Sequence, residues 1–92
     1  MLNGNRHVFI ESLCNNEEVW IKYNGKKYFI EGFWLGRERL QHLEVQDLDL
    51  WKIIWESNAD EQEANVDNFR KARIFNGKSF DEIQDEVEWL DE

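Results

Sequence analysis

The stretch Val19-Trp20-Ile21-Lys22-Tyr23-Asn24-Gly25-Lys26-Lys27-Tyr28-Phe29-Ile30-Glu31 decides the fold. Two runs of β-branched and aromatic residues flank Asn-Gly, the dipeptide that best accepts the positive φ angles at both central positions of a type I′ turn. A two-residue loop then sets the register. Ile21 falls opposite Tyr28 and Val19 opposite Ile30 on one side, with Trp20 opposite Phe29 and Lys22 opposite Lys27 on the other. Both sides carry aromatics. One must pack on the core, so the other is covered by a helix or left as a partly exposed apolar patch.

Downstream of the hairpin, Gly36-Arg37-Glu38-Arg39 reads as a polar connection, and His42-Leu43-Glu44-Val45-Gln46 alternates as a third strand. Trp51-Lys52-Ile53-Ile54-Trp55, bounded by Asp47, Asp49 and Ser57-Asn58, supplies a fourth antiparallel strand. Upstream, Phe9, Ile10 and Leu13 have helical spacing although His7-Val8-Phe9-Ile10 also suits a strand; a short helix is expected in residues 7–14.

Beyond the strands, Asn58 with Glu61 three residues on predicts a capped helix start, with Val66 and Phe69 inward, Arg70, Lys71 and Arg73 near its end, and Gly77 as its stop. Ser79-Phe80-Asp81-Glu82 is a second capping box, opening a last helix with Phe80, Ile83, Val87 and Leu90 inward. The expected fold is α+β: an antiparallel β-meander of three to four strands, a short N-terminal helix and two C-terminal helices. With no proline, repeat or linker, residues 1–92 read as a single domain.

The net charge of −9 is unevenly placed. Residues 1–46 hold six acids and six bases, whereas residues 47–92 hold fourteen acids and five bases. Such a field repels nucleic acid and anionic membrane, and attracts basic protein surfaces over a Debye length of about 8 Å. The expected partner is therefore a basic protein surface, with no direct nucleic-acid or membrane binding. The lone Cys14 has no partner for a disulfide, no run approaches the roughly 20 apolar residues of a membrane span, and no secretion signal is visible, so a cytoplasmic location is expected.

The last helix breaks a local rule. Its outer side is expected to carry Asp81, Asp85, Glu88 and Glu92 in one row, with Glu82 and Glu86 alongside, and the later acids oppose the helix dipole. A solvated, solubilising charge run accounts for these residues; the functional alternative is a negatively charged rod, its carboxylates roughly 5 to 6 Å apart along the axis. On that alternative Asp81, Glu82, Asp85, Glu88, Trp89 and Glu92 form the candidate partner-binding set. Trp20, Phe29, Phe33 and Trp34 are either core or anchors for a partner.

Catalytic patterns are missing. His7 and His42 stand alone in the sequence, so no metal site or cofactor is expected, and neither a phosphate-binding glycine loop nor a serine-nucleophile elbow occurs. Small size, strong acidity and missing catalytic groups together resemble, in composition alone, anti-CRISPR and anti-restriction DNA mimics. That resemblance implies a non-catalytic inhibitor occupying a basic groove of a nucleic-acid-processing enzyme. The alternatives are an immunity or antitoxin-like protein for one toxin, and a small ligand-binding module or enzyme.

Overall fold

Asn24 and Gly25 both adopt positive φ, 52° and 81°, as a type I′ turn demands. They join strand β1 (Val19–Tyr23) to strand β2 (Lys26–Leu35) in the expected register, with Val19 opposite Ile30, Trp20 opposite Phe29, Ile21 opposite Tyr28 and Lys22 opposite Lys27. The computed structural model describes residues 1–90, the side chain of Glu38 excepted. Strand β3 (Leu40–Asp47) pairs with β2, and β4 (Lys52–Ala59) with β3 across a bulge at Val45/Gln46. A fifth strand, β5 (Glu88–Leu90), pairs with the free edge of β1, giving an antiparallel sheet in the order β4-β3-β2-β1-β5.

Three helices pack on one side of this sheet: α1 (Arg6–Cys14), α2 (Gln62–Lys71) and α3 (Phe80–Ile83). Asn5 caps α1, its Oδ1 accepting from the His7 and Val8 amides. Ser79 and Glu82 form the expected capping box at α3. Between sheet and helices lies one core in which Phe9 and Leu13 of α1, Val66 and Phe69 of α2, and Phe80 and Ile83 of α3 meet Val19, Ile21, Tyr28, Ile30, Leu43 and Val45. Phe69 lies 5.3 Å from Phe80 and 6.1 Å from Phe75, ring centre to ring centre, so aromatic contacts link α2 to α3 within this core.

Two sequence expectations are corrected. Asn58 does not cap α2, because β4 runs on to Ala59 and Asn58 stands opposite His42 in the ladder. The residue before α2 is Glu61, which makes no side-chain cap. Trp51, expected inside β4, instead occupies the β3–β4 turn with φ of 54° and is 83% exposed.

The acidic last helix is also much shorter than expected. It stops at Ile83, a 3-10 turn covers Gln84–Glu86, and the chain then extends into β5. The competition is readable. Continuing the helix would stack carboxylates one turn apart against the dipole, whereas β1 offers an unpaired edge and Val87 becomes fully buried.

A layer of amides joins α2 to the β3–β4 side of the sheet. Gln62 Nε2 donates to Asn16 Oδ1 (2.6 Å) and to the His42 carbonyl (2.9 Å), while Asn65 Nδ2 donates to the Gln41 carbonyl (2.9 Å) and to Gln62 Oε1 (2.7 Å). Ser57 Oγ donates to Asn65 Oδ1 at 2.6 Å. These buried groups satisfy one another, which holds the β3 backbone rigidly from the helix side. Gly32 lies beneath Gln62, whose Nε2 occupies the place a Cβ would need.

Candidate functional site: a glutamate row on the open face of the sheet

Strand alternation sends the second set of side chains to the face opposite the helices. There the registers of β2, β3 and β4 align three cross-strand rows: Phe29, Gln46 and Ile53; Glu31, Glu44 and Glu56; Phe33, His42 and Asn58. Trp20 extends the first row and stacks on Phe29 with ring centres 4.9 Å apart. The apolar surround remains accessible, Phe33 being 40% and Ile53 48% exposed.

The middle row is the anomaly. Neighbouring strands lie about 4.8 Å apart, and like charges directly opposite one another destabilise a sheet. Three glutamates nevertheless stand side by side on three successive strands. Burial, followed by the charge of Glu44 and then of Glu18, pushes the Glu31 carboxyl above its ordinary range. The cost is expressed on this chain's own groups.

His42 partly offsets it. Its ring lies 4.7 Å from that of Phe33 and is buried, as is Glu44, although among the described residues no helix covers this face. Nδ1 lies 2.6 Å from Asn58 Oδ1 and Nε2 lies 2.8 Å from Glu44 Oε1, both partner atoms being acceptors for a protonated ring nitrogen; Glu56 Oε2 lies 3.9 Å from Nε2. The second oxygen of Glu44 accepts from Gln46 Nε2 at 2.7 Å. Burial opposes the charged ring, but the acceptors at both nitrogens outweigh it and raise the imidazole above its ordinary value. Chemically, the face presents three carboxylates in a row, two of them, Glu44 and Glu56, beside the His42 imidazole, framed by aromatic and aliphatic side chains.

The residues expected to bind a partner are dispersed. Asp81 is half-buried between helices, bonded by Arg70 through two hydrogen bonds of 3.1 Å and by Arg6 at 2.9 Å, and Arg70, then Arg6, hold its carboxyl below the ordinary range against burial. Glu82 is engaged by the Ser79 amide and lies 3.6 Å from Arg73. Asp85 is exposed on the 3-10 turn. Glu88 is opposite Lys22 in the β1–β5 pair. Trp89 turns toward the core, edge-on to Phe9 at 5.2 Å, with its amide donating to Asn3 Oδ1. Glu92 lies outside the described residues. No helical row brings these groups together, because Asp81, Asp85 and Glu88 belong to three different elements.

His42 is thus not isolated, and the expectation that it stands alone is corrected by its contacts with Glu44 and Glu56. A signal for part of this site was present: Glu44 alternates with Leu43 and Val45 in the expected third strand, and Glu31 closes the second strand of the hairpin, whose core-facing side the sequence left open. Glu56 and Asn58 were hidden, since their places depend on the bulge and on the extension of β4. Burial, then Glu63, Asp67 and Glu11, push the Cys14 thiol upward, which disfavours its thiolate. Among the described residues no helix is long and apolar enough to cross a membrane.

In comparisons with protein families, curated proteins and solved structures, nothing matches the chain.

Proposed function

We propose that this chain is a non-catalytic, cytoplasmic binding module that takes a basic protein segment on the open face of its sheet. The observation that carries the reading is the cross-strand row Glu31, Glu44 and Glu56. A fold that keeps three like charges adjacent retains a local cost, and such exceptions to otherwise consistent sequences concentrate at functional positions. An arginine or lysine inserted over the row would relieve that repulsion, and its aliphatic stem would lie along Phe29, Phe33 and Ile53. The net charge of −9 adds long-range attraction for a basic partner.

The partner class that fits the charge is the basic groove of a nucleic-acid-processing enzyme, with the chain acting as its inhibitor. The carboxylates that would stand in for a nucleic-acid backbone are then those of the sheet, spaced by strand separation, instead of the expected helical row. The exposed Phe33, with Trp20 and Phe29 on the same face, favours a second reading, an immunity-like interface in which aromatic anchors supply most of the energy.

The test begins with capture of partners at low salt and release at high salt, followed by affinity measurements with the purified partner. Glu31→Lys and Glu56→Lys are each expected to weaken binding by about tenfold or more at low salt, and Glu63→Lys on the helix side to change it little. Equal losses from all three reversals would remove the open face from the interface. Salt-resistant binding that collapses in Phe33→Ala and Trp20→Ala would select the immunity-like reading.

A further inference from the structure

The nitrogen of His42 that faces the glutamate row is Nε2. The other nitrogen is committed, since Nδ1–H donates to Asn58 Oδ1 at 2.6 Å. Metal-binding histidines characteristically use this arrangement: an oxygen takes one ring N–H, which sets the tautomer and aims the opposite nitrogen at the metal. Glu44 is likewise oriented by an outer partner, with Gln46 Nε2 at 2.7 Å from one oxygen and the other oxygen turned toward His42. Glu56 approaches from β4, and one ligand atom from each of His42, Glu44 and Glu56 lies within 4.8 Å of the other two.

From this geometry we infer that His42 Nε2, Glu44 and Glu56 form a site for a divalent first-row transition-metal cation of the zinc class. Bonds of about 2.0–2.1 Å in a tetrahedral arrangement place ligand atoms about 3.3 Å apart. The present Nε2 separations are 2.8 Å to Glu44 and 3.9 Å to Glu56, so each must change by roughly half an ångström. Glu56 can make that movement, because its side chain is more than half exposed at the edge strand. The metal takes the place of the Nε2 proton, which leaves to solvent. Imidazole with two carboxylates suits Zn²⁺ or Mn²⁺ and not Mg²⁺, which prefers oxygen ligands alone. A +2 ion also answers the charge of the row, for which the nearby imidazole supplies at most +1. Three protein ligands leave a fourth position for water or a partner's donor atom.

This inference does not rest on the partner reading, and its test uses the isolated full chain. Chelator-stripped protein is titrated with ZnCl₂ by calorimetry, while long-range ¹H–¹⁵N spectra follow the imidazoles. One site is expected, with the His42 Nε2 resonance shifting and that of Nδ1 remaining protonated. Glu56→Gln, at an exposed position and checked for an unchanged fold by circular dichroism, is expected to weaken zinc by about tenfold or more, and excess MgCl₂ not to compete. His7→Gln is the control, because the exposed His7 and Glu11 pair on α1 is the other place where an imidazole meets a carboxylate. Wild-type zinc affinity in Glu56→Gln, an unmoved His42 Nε2 resonance, or loss of binding in His7→Gln would each overturn the assignment.

Discussion

Replacing Asp81 by asparagine perturbs a carboxylate on α3 that bonds Arg6 of α1 and Arg70 of α2 and so ties the three helices together. Its Oδ1 accepts from Arg6 Nη2 at 2.9 Å and from Arg70 Nε at 3.1 Å, and its Oδ2 from Arg70 Nη2 at 3.1 Å. Fully exposed ion pairs contribute about 0.2–1 kcal/mol, and hydrogen bonds to charged groups about 1.5–3 kcal/mol. The side chains here are about one-third exposed, so screening is substantial and each arginine contact contributes about 1 kcal/mol. Asparagine keeps one acceptor and Arg70 keeps Asp67, which places the expected loss at about 1–2 kcal/mol. For a domain of this size that lowers Tm by roughly 5–15 °C. Urea unfolding should show a reduced midpoint with an unchanged m-value.

The pH dependence gives an independent check. The hydrogen bonds from Arg70, then those from Arg6, outweigh burial and hold the Asp81 carboxyl below its ordinary value of 3.8. Below that value the unfolded chain binds more protons than the folded one, so the contribution is full above it and is lost as pH falls through the folded value. The gap between wild type and Asp81→Asn should therefore be constant from about pH 7 to about pH 5 and narrower at about pH 3. A gap below about 0.5 kcal/mol at neutral pH, or one equally wide in acid, would refute the assignment of Asp81 to the helix junction.

Glu31→Gln removes one member of the like-charged row and is expected to stabilise the chelated protein by about 0.5 kcal/mol, while weakening the basic partner; thermal unfolding and partner titration on the same samples read both signs. Gly32→Ala is expected to cost about 2 kcal/mol, because the new Cβ displaces Gln62 from Asn16 and from the His42 carbonyl; urea unfolding measures it, and a cost near zero would mean the amide layer can rearrange. Trp89→Ala is expected to lose about 2 kcal/mol of stability, the half-buried ring being packed on Phe9, and to leave partner affinity within about twofold once folding is corrected for.

Local chemistry carried the sequence reading furthest where neighbours in the chain are neighbours in space. Asn24-Gly25 has one low-cost hairpin geometry, and that geometry sets which side chains face each other on β1 and β2. The capping box at Ser79 is equally local and equally legible. The inward faces of β3 and α2 follow from periodicity, since burying apolar side chains selects one rotation of each element.

An α+β meander, its central hairpin register and an excess of negative charge are thus legible in residue order. The strand at Glu88–Leu90 and the glutamate row arise only when the sheet assembles. Phe80, Ile83 and Val87 fit a helix, while Val87 and Trp89 fit a strand equally well, and the unpaired edge of β1 settled the conflict in favour of β5. Likewise Glu31, Glu44 and Glu56 come from three strands, and nothing in the chain announces that a bulge and a longer β4 will bring the third beside the other two. Register between non-adjacent segments is a property of the assembled sheet, because each residue's face depends on every pairing that precedes it.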